Sequence, residues 1–124
     1  MNKQDFFILI CTLEGFKSKF RELHWNAKLK SEHLLCDDIM DEIIYFQDNF
    51  AEEGFTFFGK FATGEFVPEL NYSQTTIEAL NELLTLIMEN KQLLIDDINF
   101  CSLSALIDEM IHKVRKFITL TTYK

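Results

Sequence analysis

The sequence predicts an all-α protein: a four-helix bundle made of two short-turn helical hairpins joined by one long crossover. Three observations predict it. Apolar residues recur at three- and four-residue spacing over four separate stretches. The gaps near Lys28 to Ser31 and near Asp96 to Ser102 are short, whereas the gap over 54–74 is long. Gly54 opens that long gap and Gly59, Gly64 and Pro68 follow inside it, so it holds four of the chain's five helix-breaking residues (4 Gly, 1 Pro).

The first helix is expected over about 3–27, with Phe6, Leu9, Leu13, Phe16, Phe20 and Leu23 on its apolar face. Gly15 is a weak point in it, costing about 1 kcal/mol against Ala. His24 lies at the margin of that face, one turn after Phe20. A short turn at Lys28 to Ser31 makes the first and second helices antiparallel neighbours, with Ser31 as N-cap of the second. The second helix is expected over about 31–53, stopped by Gly54 at the C′ position. The crossover over 54–74 carries Phe55, Phe57, Phe58, Phe61 and Phe66. A solvated linker would not be so aromatic, so this segment should pack along the bundle or, if exposed, form a subunit contact. The third helix should run over about 75–96, capped by Ser73 or Thr75 with Glu78 completing a capping box. Its apolar positions are Ile77, Leu80, Leu83, Leu84, Ile87, Met88 and Leu94. The fourth should run over about 102–122 on Leu103, Leu106, Ile107, Met110, Ile111, Val114, Phe117 and Ile118. At 124 residues the chain is one domain, 1–124, and two hairpins with one long connection give it a ferritin-like topology.

The second helix carries the candidate chemistry. At about 100° per residue, Asp37, Asp41, Tyr45, Asp48 and Glu52 fall within about 80° of one another, with His33 one turn ahead. Ile39, Met40, Ile43, Ile44, Phe46 and Phe50 form an arc on the other side. The stripe runs along the edge of the apolar arc, near Ile44 and Ala51. No Lys or Arg occurs between Ser31 and Glu53, so the i,i+4 cations that usually balance a solvated face are missing. Crowded carboxylates repel one another unless a cation sits among them. Carboxylate oxygens with imidazole suit iron, manganese and zinc. An ordinary solvated polar face is the competing account of the stripe.

Composition excludes several classes. Hydrophobic residues make up 48% of the chain and Phe alone contributes 13, which argues against disorder. The net charge of -8 opposes strong DNA binding, and the two basic groups, Lys17 to Lys30 and Lys113 to Lys116, are short. No stretch approaches the ~20 apolar residues of a membrane span. The apolar run Phe6 to Leu13 is too short for a signal peptide and lacks a small-residue cleavage site. Cys11, Cys36 and Cys101 are odd in number, far apart and without a C-x-x-C pattern, as expected of reduced thiols in a cytoplasmic protein.

The fourth helix contains Glu109-x-x-His112, preceded by Asp108. Glu-x-x-His is the di-iron motif inside ferritin-type bundles. Here Asp108 and His112 lie opposite the stripe centred on Met110 and Val114, so they should point away from the core.

His24-Trp25-Asn26, a second histidine at 33, Asp48 fifteen residues after it and Glu52 nineteen after it together resemble the Dps family, the mini-ferritins of starved bacteria. Asp37, four residues after His33, also fits that pattern, and Ala105-Leu106-Ile107-Asp108-Glu109 is similar to the family's final helix. The resemblance covers the first two helices well and the rest in outline. The two histidines are nine apart, where the family typically has twelve, a shorter spacing shared by some small, often phage-encoded, ferritin-like proteins. The lysine-rich tail that many members use on DNA has no counterpart before the first helix.

The resemblance implies a ferroxidase site between subunits. His24 and His33 would come from one chain, and Asp48 and Glu52 from its partner. Asp37 would be an extra ligand or would orient imidazole or water. It further implies iron as the metal, hydrogen peroxide or dioxygen as oxidant, and a hollow homo-oligomer, usually of twelve subunits, that stores ferric mineral. Asp41, Asp108 and Glu109 would contribute an acidic inner lining. Two other classes stay open: a catalytically inactive bundle acting as a protein-interaction module through the Phe-rich crossover, and a structural zinc or manganese site without redox turnover.

Overall fold

The chain opens with a capping box. The Asn2 side chain accepts from the Asp5 amide while the Asp5 carboxylate accepts from the Asn2 amide, satisfying two donors that the first helical turn leaves unpaired. The computed structural model, which describes residues 1–123, places four helices along the chain. They are α1 Lys3–Asn26, α2 Lys30–Phe58, α3 Thr76–Gln92 and α4 Cys101–Leu120, with a 3-10 turn Ile98–Phe100 leading into α4. The described residues contain no strand.

Helix directions follow from the contacts between them. The short α1–α2 turn makes those two antiparallel. Thr76 at the start of α3 donates to Glu32 at the start of α2, so α2 and α3 run the same way. Ser102 at the start of α4 donates to Glu53 near the end of α2, so α4 opposes α2. The segment 59–75 therefore returns the length of the bundle. Around its circumference the helices pack in the order α1, α2, α4, α3.

The core is the one the apolar periodicity marks. Phe6, Leu9, Leu13, Phe16, Phe20 and Leu23 of α1 are buried against Ile39, Ile43, Phe46 and Phe50 of α2. From α3 and α4 come Leu80, Leu83, Ile87, Leu103, Ile107, Met110 and Val114. Ile44, Ile77 and Met88 are exposed instead. Asp108, Glu109 and His112 are exposed, as the helical wheel requires.

Several boundaries differ from expectation. Ser31 does not cap α2: the N-cap position is Leu29, without a side-chain hydrogen bond. Gly54 does not end α2. It is buried inside the helix, where a Cβ would overlap the ring of Phe6, and the helix continues to Phe58. The stop falls at Gly59, whose φ of 81° and ψ of 170° suit glycine almost alone. Phe55, Phe57 and Phe58 thus belong to a helix rather than to the crossover. The Phe6 ring stacks on Phe58 at 5.0 Å and meets Phe55 edge-on at 5.8 Å, while Phe7 stacks on Phe61 at 4.0 Å. Burying these rings outweighs the local tendency of Gly54 to break the helix. α3 stops at Gln92 rather than near 96, although Leu94 still reaches the core from the turn that follows.

The crossover lies against α1 at Gly15. The Glu69 amide donates to the Cys11 carbonyl at 3.1 Å, and a Cβ on residue 15 would overlap the Glu69 carbonyl oxygen. The apparent weak point of α1 is thus the place where a second backbone approaches it. No helix among the described residues is long and apolar enough to cross a membrane.

Candidate functional site

The end of the bundle that carries the α1–α2 turn brings His24 and His33 face to face. Their ring centroids are 3.6 Å apart with planes 25° from parallel. His24 Nδ1 lies 2.8 Å from the His33 carbonyl oxygen, and His33 Nδ1 lies 2.9 Å from the His24 carbonyl oxygen. A carbonyl can only accept, so each Nδ1 carries the proton. In the neutral rings the lone pair is therefore on Nε2. The nine-residue spacing makes this reciprocity possible. It puts His24 in the last turn of α1 and His33 in the first turns of α2, so the rings meet across the turn. The His24 carbonyl belongs to the last turn of α1, where carbonyls lack an intrahelical donor, and His33 supplies one.

Asp37 joins this corner. Its Oδ1 is 3.7 Å from His24 Nδ1, too long for a hydrogen bond and close enough for a charge contact. Because Nδ1 already donates to a carbonyl, Asp37 lies on the side of the ring away from the free Nε2.

The structure brings His24, His33 and Asp37 together and leaves Asp48 and Glu52 apart from them. On a continuous helix, fifteen and nineteen residues beyond His33 correspond to about 22 and 28 Å. Both carboxylates are exposed on α2, as are Asp41 and Tyr45. Among the described residues of one chain, no group of three or more His, Cys, Asp or Glu side chains could hold a metal ion. Trp25 is 70% exposed.

One cation near the acidic helix was invisible in sequence. Lys113, from α4, pairs with Glu42 at 2.7 Å and Glu109 at 3.1 Å, and its ammonium sits 4.9 Å from the centre of the Tyr45 ring. The hydrogen bond to Glu42 is the main cause of a raised Lys113 pKa, with the bond to Glu109 adding to it and partial burial opposing it. Lys113 thus balances the flank of the helix, while no Lys or Arg among the described residues pairs with the carboxylates of Asp37, Asp41, Asp48 or Glu52.

Comparisons of the chain with known protein families, with curated proteins and with solved structures give no match.

Proposed function

We propose that this chain is the subunit of a Dps-like mini-ferritin that binds and oxidises Fe(II) at a carboxylate–histidine site shared between two subunits. The observation that carries the reading is the locked pair His24 and His33. In metal sites, a ligating imidazole donates its second nitrogen to a carbonyl or carboxylate, which fixes the tautomer and ring orientation. Both rings here have that arrangement. The bundle geometry supports the reading too, since one long crossover between two hairpins is the ferritin-like connection. Asp48 and Glu52 lie too far along α2 to complete the site in one chain, and their exposure leaves them available to a partner's histidines.

On this proposal His24 and His33 of one subunit hold Fe(II) through Nε2, and the carboxylates of Asp48 and Glu52 of the next hold or bridge it. Asp37 is an extra ligand or orients imidazole or water at the site. Electrons pass from Fe(II) to hydrogen peroxide or dioxygen, and the ferric product is stored inside a closed homo-oligomer, with twelve subunits as the expected number. Exposed Asp41 is suited to an acidic inner lining, which Asp108 and Glu109 would join while paired with Lys91 and Lys113.

The test is anaerobic Fe(II) titration followed by peroxide addition, read as absorbance near ~300 nm where ferric–oxygen species absorb. The wild type is compared with His33→Ala and with Asp48→Ala, each particle sized by light scattering. Rapid oxidation by a large wild-type particle, lost in each variant, is the expected result. Because the site is shared, co-assembling the two variants should restore part of the activity. Iron binding without oxidation would favour structural zinc or manganese instead.

A second reading has its own observation. The reciprocal hydrogen bonds of His24 and His33 also clasp the α1–α2 turn, which is sufficient reason for a bundle to keep them. On that reading the protein is an interaction module without redox activity. Fe(II) failing to bind to any assembled form would decide for it.

A further inference from the structure

A recess of about 440 Å³ opens at the end of the bundle where the α1–α2 turn, the start of α3 and the end of α4 converge. Its size lies in the range of small-molecule sites, roughly 300–1,000 Å³. The wall is mixed: Leu29, Leu35, Ile77, Leu120 and Tyr123 supply its apolar part, and hydroxyl side chains and one carboxylate supply the rest. One carboxylate, Glu32, belongs to the lining, and among the described residues no lining residue carries a positive side chain.

Glu32 is held in place rather than left mobile. Its Oε1 accepts from Thr76 Oγ1 at 2.9 Å, and Thr76 is only 6% exposed. The Thr76 hydroxyl has one proton and gives it to the carboxylate. The contact at 3.6 Å between Cys36 Sγ and Thr76 Oγ1 is then donated by the thiol. Cys36 is suited to donate, because burial raises its pKa, with Glu32 and Asp37 adding to the rise against the opposing effect of Thr76. The chain Cys36–Thr76–Glu32, buried at Cys36 and Thr76 and half-buried at Glu32, thus fixes one carboxylate oxygen. The second oxygen makes no hydrogen bond among the described residues, and Glu32 joins no ion pair there. Glu32 also lies in the first turn of α2, where the helix dipole favours its negative charge. An oriented, unpaired carboxylate in a recess that also offers Leu35, Ile77 and Leu120 complements a cation attached to an apolar body.

We propose that this recess binds small organic ammonium ions, with the ammonium on Glu32 and the hydrocarbon between Leu35, Ile77 and Leu120. The inference uses neither His24 nor His33 and stands apart from the iron reading.

The test follows amide shifts in ¹H–¹⁵N spectra of the full chain during titration with hexylammonium, hexanol or hexanoate. These probes share a hydrocarbon body and differ in head group. Hexylammonium should bind about tenfold or more tighter than hexanol, the size of one charge-assisted hydrogen bond, and hexanoate should bind weakest. Shifts should centre on Ser31, Thr75 and Thr121. Glu32→Gln keeps an acceptor for Thr76, so it should fold, and it should bring hexylammonium down to the affinity of hexanol. Ile77→Lys, which places a cation at the mouth, should abolish ammonium binding without disturbing the core, because Ile77 is exposed. Hexylammonium binding no tighter than hexanol, unchanged in Glu32→Gln, or shifting amides away from the recess would each overturn the proposal.

Discussion

Replacing Gly15 by alanine sets helix propensity and tertiary packing against each other. Gly15 lies in the middle of α1, and by propensity alone alanine should stabilise that helix by about 1 kcal/mol. The structure predicts the opposite sign. The new Cβ would overlap the carbonyl oxygen of Glu69, so the crossover has to move outward or α1 has to shift. Moving the crossover breaks the bond from the Glu69 amide to the Cys11 carbonyl, a loss of about 1 kcal/mol. Strain from overpacking adds about 1–3 kcal/mol. With the propensity gain subtracted, Gly15→Ala should destabilise the protein by about 1–3 kcal/mol. The assay is urea unfolding followed by circular dichroism, with Ser18→Ala as control. Ser18 is exposed on the same helix, and its replacement should raise the midpoint slightly. A Gly15→Ala variant more stable than wild type would refute the close approach of the crossover and, with it, the route this segment takes along α1.

Two further perturbations test other parts of the structure. Under native conditions a thiol reagent at pH 8 should modify Cys101 quickly, because it is exposed, and Cys11 and Cys36 slowly, because they are buried. Burial also keeps Cys36 protonated above the ordinary thiol range, and denaturant should make all three react alike. Lys113 provides a pH test. Its pKa in the folded protein is raised above the ordinary 10.5, chiefly by the bond to Glu42, so the folded state holds its proton more tightly than the unfolded chain. The resulting stability is complete below 10.5 and is lost as pH rises through the folded value. Lys113→Met should therefore flatten the fall in stability above that pH, measured by urea midpoints. An identical alkaline slope in both proteins would show that the ion pairs with Glu42 and Glu109 contribute nothing.

Much of the architecture was readable from periodicity. The stripes on α1 and α4 required no tertiary information, since an apolar residue every three or four positions has to be covered by something. The same regularity put Asp108 and His112 outside. Other features depended on residues far apart in sequence. Gly54 looks like a helix stop because local propensity is all that a short window reveals, yet α2 passes through it to bury Phe55 and Phe58 against Phe6. Gly15 looks like a flaw until the crossover is seen lying on it.

The candidate site divides the same way. The stripe of Asp37, Asp41, Tyr45, Asp48 and Glu52 with His33 at its head could be read from residue type and spacing, whereas the ligand set His24, His33, Asp37, Asp48 and Glu52 is what the resemblance to the Dps family implies. The sequence alone also determined that these groups share one hairpin and that α2 carries no Lys or Arg between Ser31 and Glu53. Only the tertiary structure decided that the two imidazoles stack and lock each other's tautomer through backbone carbonyls. It also decided that Lys113 reaches Glu42 from another helix and that Thr76 orients Glu32 across 44 residues of chain. The physical reason is range. Helical phase is set by a few neighbouring residues, whereas ring stacking, ion pairing and a shared recess depend on which surfaces meet once the long crossover has brought the second hairpin back onto the first.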